Sequence, residues 1–319
     1  MPLKFSNKKH SNPQESPIRL INDSRFCVKF VQGCATWITL PSCQSEQKNA
    51  ISLAEKVLFA VKTCRKFHDT RLPIISQTWA KAALNIEYFS EHAEREYETK
   101  QLPGIRKIYD EFNLCKKTYA IINYFNKHAF VKGWKWLVIA DDDTLLSVHK
   151  VLQVLNCYNP EKPLVIGQRY GFQVAEGKDG YDFIAGGGGM VFSRAMTLKI
   201  IEDENKYGKS CSCPSADYPD DMYLTGQCIS KLNSSLLVHN DGFHQGSPSD
   251  YTLELLQHRN IISFHKFWDG EDNISTTGTT TKRKWRWNFP TQIYESYFKT
   301  SDEYLVNYKS TRKMQKQEL

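Results

Sequence analysis

Three consecutive aspartates follow an apolar segment in the middle of the chain. Residues 136–140 have the pattern of a buried strand, and Asp141, Asp142 and Asp143 come directly after it. Adjacent carboxylates repel one another and are costly to bury without a compensating charge, so this position favours a bound cation. Mg²⁺ or Mn²⁺ is the natural candidate, because both take oxygen ligands and keep positions open for substrate phosphates. A solvated acidic turn or a helix N-cap is the alternative.

A second acidic pair, Asp220 and Asp221, follows Pro219. The pattern predicts a helix that opens at residues 218–224 and continues to Leu232. Proline in the first turn followed by acids is typical of a helix start, so capping accounts for one of the two aspartates. The other could be a general base that takes a proton from an attacking hydroxyl.

Two histidines and a glycine run complete the set of residues that could do chemistry. His244 and His265 each end an apolar stretch, and although a lone histidine is usually structural, either could complete a metal site. Gly186 to Gly189 lie between two apolar segments and allow close backbone approach to a ligand. A tight bend is the alternative, but it needs only one or two glycines. The run lacks the Gly-Lys-Ser/Thr ending of a phosphate-binding P-loop.

The elements that must position these residues alternate along the chain. Apolar runs predict strands and amphipathic segments predict helices. The predicted strands are 57–61, 85–90, 136–140, 163–167, 181–185 and 190–193, and the predicted helices are 72–84, 116–128 and 145–157. This order implies an α/β sheet with helices on both faces. Since ligands bind outside the carboxyl ends of strands in such sheets, Lys62 and Thr63 are expected to share one cleft with the aspartate triplet.

Composition limits the class of partner. The chain has 319 residues and a formal net charge of +7, which favours an anionic partner. Its basic residues are dispersed, so a nucleotide phosphate meets this requirement as well as nucleic acid does. One short Lys, Arg and Trp patch, residues 282–287, is weak support for nucleic-acid binding, and we expect none. No stretch reaches the apolar length needed to span a bilayer.

Nine scattered cysteines indicate an oxidising compartment, because they form no zinc-ribbon spacing. Sequons at Asn22, Asn233 and Asn273 permit glycosylation. The last four residues, 316–319, resemble the Lys-Asp-Glu-Leu class of retrieval signal. Residues 1–17 are polar and lack the apolar core of a signal peptide. We therefore expect residues 1–50 to be a polar tail and the remnant of a preceding region whose signal is absent from this sequence.

Five ordered motifs resemble those of the Fringe-like β-1,3-glycosyltransferase family. They are residues 60–68 with Arg71, Thr78 and Trp79; the aspartate triplet; the glycine run with residues 190–194; residues 219–222; and residues 243–244. The resemblance covers residues 57–268. It implies a GT-A-type nucleotide-sugar-binding fold, with a mostly parallel central sheet and helices on both faces, and a catalytic domain over residues 51–319.

The resemblance also implies a metal-dependent, inverting transfer from a UDP-sugar. Mn²⁺ or Mg²⁺ would be held by Asp143 and Asp141 with a histidine, for which His265 is preferred over His244. Asp221 would be the base, with Asp220 as the alternative. The residues expected near the nucleotide and the donor sugar are Lys62, Thr63, Arg71, Asp141, Asp142, Gly187 and Gly188.

Within the family, residues 167–171, the glycine run, residues 262–266 and the chain end are most similar to the branch that adds glucose to O-linked fucose. This implies UDP-glucose as donor, O-fucosylated thrombospondin type 1 repeats as acceptors and the lumen of the endoplasmic reticulum as location. Any membrane association would come only through the missing N-terminal region. The alternatives are a Fringe-type transfer of N-acetylglucosamine to O-fucose on epidermal growth factor repeats, and a non-catalytic glycan-binding module.

Cysteine connectivity stays open at the level of sequence. Cys64 with Cys115 is one plausible bridge. Cys211 or Cys213 with Cys228 is another.

Overall fold

A computed structural model describes residues 26–31, 34–39, 43–102, 114–174, 180–207, 211, 213, 219–230, 233–258, 260–266, 271–276, 279–284 and 288–317. The chain divides into two compact units, Met1–Ser45 and Glu46–Leu319. In the first unit, strands β1 (Phe26–Val31) and β2 (Cys34–Thr39) form an antiparallel hairpin.

The second unit alternates strands and helices as the sequence predicts. Its strands are β3 (Val57–Lys62), β4 (Ile86–Ser90), β5 (Thr99–Gln101), β6 (Trp136–Asp141), β7 (Thr144–Leu146), β8 (Val165–Gly167), β9 (Arg169–Phe172), β10 (Tyr181–Ile184), β11 (Met190–Ser193), β12 (Leu237–His239), β13 (Phe243–His244), β14 (Ser263–His265), β15 (Glu271–Thr276) and β16 (Thr279–Lys284). Its helices, with the first crossing the boundary between units, are α1 (Cys43–Ala54), α2 (Leu72–Gln77), α3 (Leu114–Lys132), α4 (Val148–Leu155), α5 (Arg194–Tyr207), the π-helical α6 (Asp221–Ser230), α7 (Leu253–His258), α8 (Asn288–Tyr297) and α9 (Lys299–Gln317).

A seven-stranded sheet with the order β12-β8-β11-β6-β3-β4-β5 forms the centre of this unit. All neighbouring strands are parallel except where β11 pairs with β8 and β6. Strands β13, β14 and β7 form a separate three-stranded sheet, and β9 and β10 form a separate two-stranded one. The predicted mixed α/β architecture with a mostly parallel central sheet is confirmed.

The central strands are buried on both faces, which explains their continuous apolar sequence. Alternate residues of β3 enter opposite cores: Val57, Phe59 and Val61 pack in one, and Leu58 and Ala60 in the other. Residues of α2, α4, α8 and α9 contribute to the first core, and residues of α3, α5 and α6 to the second. Helices therefore cover both faces of the sheet, as predicted.

The helices predicted over 72–84 and 145–157 are both shorter in the structure, whereas the helix predicted over 116–128 is longer and spans Leu114–Lys132. The helix predicted over 72–84 ends at Gln77 and is followed by a 3₁₀ turn, Trp79–Lys81. The helix predicted over 145–157 begins only at Val148. Residues Thr144–Leu146 are strand β7 instead, because they pair with β14, and Ser147 caps the helix by accepting a hydrogen bond from Lys150 N.

The last helix, α9, is fixed to α4 through the fully buried Asp302. Its carboxylate accepts hydrogen bonds from Ser147 Oγ at 2.7 Å, His149 N at 2.9 Å and Tyr294 Oη at 3.0 Å. An acceptor at a helix N-terminus satisfies backbone N–H groups that have no partner within the helix. No helix in the described ranges is both long and apolar enough to cross a membrane.

One disulfide joins the start of α3 to the region before α6, and a second joins that region to α6 itself. Cys211 is bonded to Cys228, so this predicted pair is confirmed. The predicted Cys64–Cys115 pair is wrong, because Cys115 at the start of α3 is bonded to Cys213, with 5.8 Å between the Cα atoms. Cys64 remains a buried free thiol whose pKa burial raises to about 11.

Candidate active site

The ends of β3 and β6 bring the first predicted site residues together. The two strands are parallel and in register, with Lys62 opposite Asp141. Asp142 N continues the contact by donating to Lys62 O at 3.1 Å. Thr63 and the aspartate triplet therefore leave the same edge of the sheet, as the order of strands predicts.

Asp141, Asp143 and His265 form a group whose candidate ligand atoms all lie within 4.8 Å of one another. His265 Nε2 is 3.1 Å from Asp143 Oδ1 and 3.7 Å from Asp141 Oδ2, and its Nδ1 is 3.2 Å from Gln245 O. The backbone carbonyl thus orients the ring so that Nε2 faces the carboxylates, which is the usual support of a metal-binding imidazole.

The protonation states of His265 and Asp143 are consistent with a site for a positive charge. Burial alone lowers the pKa of His265, but its hydrogen bond to Asp143 and the charges of both aspartates raise it above the ordinary value. Burial raises the pKa of Asp143, but His265 and Arg71 lower it below the ordinary value. The two carboxylates suit Mn²⁺ or Mg²⁺, and the imidazole favours Mn²⁺ of the two because Mg²⁺ takes oxygen ligands. A bound cation would take the place of the histidine proton.

His244 is not a member of this group of three. Its side chain is buried, its Nδ1 is 2.9 Å from Gly242 O, and its ring contacts Tyr251 and Phe264 at centroid distances of 4.5 and 5.3 Å. These contacts are those of a packed core histidine.

Asp142 is held by two of the residues predicted near the nucleotide. Its carboxylate accepts hydrogen bonds from Thr63 Oγ1 at 2.7 Å and from Arg71 Nη1 at 2.6 Å. Arg71 Nη1 also lies 3.3 Å from Asp143 and so spans two members of the triplet. Burial raises the pKa of Asp142 to about 6, against the opposing charge of Arg71.

Lys62 connects the triplet to the second acidic pair. Its buried Nζ is 3.1 Å from Asp141 Oδ1 and is also hydrogen-bonded to Asp220. Asp220 accepts a further hydrogen bond from Thr118 Oγ1 at 2.5 Å. Burial opposes the charge of Asp220, but Lys62 and Thr118 hold the pKa of that carboxyl below its usual range. Lys62 in turn has a raised pKa despite burial, because Asp141 and Asp220 stabilise its charge.

Asp221 has a different environment from its neighbour. Its carboxylate accepts hydrogen bonds from Gly186 N at 2.9 Å and Met222 N at 2.7 Å. Burial and the charge of Asp220 raise the pKa of Asp221 to about 6, although these backbone N–H groups oppose the shift. Two adjacent carboxyls with separated acidities can play different parts in acid–base chemistry.

The glycine run passes between the two acidic groups. A Cβ on Gly187 would lie 2.2 Å from His265 Nδ1, and one on Gly188 would lie 3.2 Å from the carbonyl carbon of His244. Gly189 has φ +101°, which disfavours any other residue. The close approach of Gly187 to the His265 ring therefore explains more of this run than a simple bend does.

Sequence patterns do not single out Thr118 and Lys117, which contact site residues, or Glu91, which pairs with Lys117. Lys117 Nζ donates to Thr63 O and to Glu91 Oε2, both at 3.0 Å. One signal was available for Lys117: it lies four residues before the buried Ile121, on the apolar face of α3, where a lysine needs a partner.

Comparisons with known proteins identify the family to which the chain is similar. A family profile described as Fringe-like matches residues 52–304. A β-1,3-glucosyltransferase of Mus musculus is 43% identical over 76% of this chain and 46% of its own length, and the Homo sapiens β-1,3-glucosyltransferase is 40% identical over the same shares. The chain thus spans about half the length of these relatives.

More distant proteins are also similar. The Fringe glycosyltransferase of Drosophila melanogaster is 28% identical over 60% of this chain and 49% of its own length. Among solved structures, the galactosyltransferase LgtC in complex with donor and acceptor sugar analogues is 12% identical, with a TM-score of 0.39 over 75% of this chain and 96% of that chain. That last likeness is too distant to carry an argument.

Proposed function

The chain belongs to the Fringe-like family, and we propose that it is a metal-dependent, inverting β-1,3-glycosyltransferase. Its proposed donor is UDP-glucose, and its proposed acceptor is the 3-hydroxyl of O-linked fucose on thrombospondin type 1 repeats. The observation that carries the proposal is the link through Lys62, which joins the Asp141, Asp143 and His265 group to the aspartate pair. The glucosyltransferase relatives favour glucose as the transferred sugar.

The donor half of the site would be formed by the triplet and its supports. Asp141, Asp143 and His265 would hold Mn²⁺ or Mg²⁺, and a bound divalent cation supplies Lewis-acid neutralisation of the charge on the departing UDP. Thr63 and Arg71 fix the carboxylate of Asp142 on the donor side. Gly187 and Gly188 are proposed to lie beside the donor sugar, and the absence of a side chain at Gly187 allows the His265 ring to pack directly against the backbone.

Asp221 is the proposed general base. It would accept the proton of the fucose 3-hydroxyl while that oxygen bonds to the anomeric carbon and the bond to UDP breaks, with its electron pair leaving on the phosphate oxygen. Attack from the opposite face converts an α-linked donor into a β-linkage. Asp220 is less suited to this part, because Lys62 and Thr118 stabilise its ionised form and hold its pKa below the usual range, which makes it a weaker base than Asp221.

Location and partners follow from the same proposal. Transfer to O-fucosylated repeats requires the lumen of the secretory pathway, and the two disulfides support an oxidising compartment. The lumen of the endoplasmic reticulum is the proposed location within that pathway.

The deciding experiment follows the mass of an O-fucosylated thrombospondin repeat incubated with the chain, UDP-glucose and Mn²⁺. We expect addition of one hexose, loss of the reaction with EDTA, and no product on the unfucosylated repeat. Asp221→Asn should lower the rate about 10³-fold, in the range for removal of a general base, while the exposed Asp69→Asn control keeps it.

Other outcomes separate the alternatives. Exclusive transfer of N-acetylglucosamine, from UDP-N-acetylglucosamine to epidermal growth factor repeats, would contradict the donor and acceptor. Tight UDP and glycan binding without product from either donor would indicate a non-catalytic binding module.

A further inference from the structure

Lys117 is buried behind the donor side of the site. Its side chain is 2% exposed, and Nζ donates to Thr63 O and to Glu91 Oε2, each at 3.0 Å. The hydroxyl of the same Thr63 donates to Asp142 at 2.7 Å. Lys117 therefore fixes the backbone of the residue whose side chain orients the middle aspartate.

Glu91 is itself held in place from the other side. Its Oε1 accepts from Arg65 N at 2.7 Å, and its Oε2 accepts from Ser90 Oγ at 3.2 Å. A buried ion pair adds little net stability compared with apolar packing, but it has strict geometric requirements. The pair of Lys117 and Glu91 thus serves orientation better than stability.

Thr118 contacts the other half of the site. It is fully buried, and its hydroxyl donates to Asp220 Oδ2, the oxygen that also receives Lys62 Nζ. Asp221 follows Asp220 directly in the chain. The position of the hydroxyl therefore limits where the first residue of α6 can lie.

A covalent bond fixes the same turn of α3. Cys115 is disulfide-bonded to Cys213, which precedes the aspartate pair by seven residues. We call Cys115, Lys117 and Thr118 the anchoring turn. Its three side chains attach one turn of helix to Cys213, to Thr63 and to Asp220.

We propose that Lys117 and Thr118 are positioning residues with separate tasks in the transfer reaction. Lys117 holds the donor side through Thr63 and Asp142, and Thr118 holds the base through Asp220. The inference rests on the proposed function. Packing alone would be satisfied by an apolar residue at either buried position. The polar groups that are present instead bond to Thr63 and Glu91, in the case of Lys117, and to Asp220, in the case of Thr118.

The donor-side test measures UDP affinity in the presence of Mn²⁺ by calorimetry, with steady-state kinetics beside it. Lys117→Met should raise the Kd of UDP and the KM of UDP-glucose about tenfold, as expected for loss of one buried hydrogen-bonded contact, and change kcat less than about twofold. Lys116→Met is the matched control, because Lys116 is the exposed neighbour on the same turn. Lys117→Met leaves the buried Glu91 carboxylate without its lysine partner. If that uncompensated charge prevents folding, the double variant Lys117→Met with Glu91→Gln removes it and allows the same measurement.

The base-side test uses the same two measurements. Thr118→Val keeps the shape of the side chain and removes the hydroxyl, and we expect kcat to fall about tenfold with an unchanged Kd for UDP. Thr118→Ser restores the hydroxyl and should restore kcat. The affinity for Mn²⁺, measured directly, should match the wild type in every variant, because neither residue contacts Asp141, Asp143 or His265 in the described structure.

Three results would overturn the inference, and they are distinguishable. If the wild type binds UDP and transfers sugar while Lys117→Met behaves like Lys116→Met, the donor-side task is wrong. If Lys117→Met and Thr118→Val lower kcat and the melting temperature alike, without a change in Kd, both residues are merely structural. If the wild type neither binds UDP nor transfers sugar, the proposed function fails, and this inference fails with it.

Discussion

Asp220 and Asp221 are neighbours in the chain, yet their contacts give them opposite chemical character. Asp220 is bonded to Lys62 and Thr118, which favours its ionised form. Asp221 receives only backbone N–H groups in the described structure and is close to the negative charge of Asp220. Burial, together with the charge on Asp220, therefore raises the pKa of Asp221 and lets this carboxyl take up a proton at about pH 6.

We predict an acidic limb in the pH profile of kcat/KM that reports Asp221. Because the pKa of Asp221 is raised to about 6, the base is ionised above that pH and protonated below it, so activity should fall as pH decreases through about 6. Asp220→Asn removes the neighbouring charge and should move the limb to lower pH, with a reduced plateau. The profile is measured at saturating Mn²⁺ at each pH. A limb that stays in place in Asp220→Asn would contradict the assignment.

The two candidate histidines should separate by their effects on metal affinity and on stability. His265→Ala removes an imidazole that faces two carboxylates, so Mn²⁺ affinity should fall about 100-fold. His244→Ala removes a packed ring and a hydrogen bond to Gly242, so the free energy of unfolding should fall about 2 kcal/mol. Mn²⁺ titration followed by electron paramagnetic resonance, with urea denaturation, measures both. Loss of Mn²⁺ affinity in a folded His244→Ala variant would reverse the roles.

At the level of elements, the sequence predicts the strands better than the helix limits. Strands β3, β6 and β11 are continuous apolar runs that end at polar or glycine residues, so their positions follow from local pattern. The start of α4 was misplaced because Thr144–Leu146 pair with β14, which is more than a hundred residues away in the chain. A pairing of that separation leaves no trace in local periodicity.

The same limit applies to the site. The aspartate triplet, the glycine run and His265 stand out by residue type and spacing. Thr118 does not, because its significance comes only from a contact with Asp220 across 102 positions of sequence. Short motifs are therefore sufficient to find the reacting groups, and the three-dimensional structure is needed to find the groups that hold them.

Among contacts between helices, we expect the one between α9 and α4 to contribute strongly to the free energy of unfolding. Asp302→Ala removes the acceptor for Ser147 Oγ and two backbone N–H groups of α4, all in a buried place. We expect the free energy of unfolding to fall about 3 kcal/mol, from several unsatisfied buried donors. Glu303→Ala, at the exposed neighbouring position, is the control and should change it by less than about 0.5 kcal/mol. Equal effects of the two substitutions in urea denaturation would show that the cap is unimportant.

For the whole molecule, the two disulfides constrain the chain over very different lengths. Cys115–Cys213 closes a loop with a sequence separation of 98, and Cys211–Cys228 one of 17. A crosslink restricts the unfolded chain more when its loop is longer. Both bonds also attach the segment that precedes α6, through Cys213 and Cys211. The position of the proposed base, Asp221, therefore depends on both cysteine pairs being oxidised.

We predict that the longer crosslink contributes more to stability. Cys115→Ser with Cys213→Ser should lower the free energy of unfolding by about 4 to 5 kcal/mol, and Cys211→Ser with Cys228→Ser by about 3 kcal/mol, if loop entropy dominates. Cys157→Ser, at a half-buried free thiol, is the control and should have little effect. Urea denaturation under non-reducing conditions measures all three. A larger loss from the shorter loop would mean that local packing around α6, rather than the entropy of the unfolded chain, decides how strongly these bonds hold the fold together.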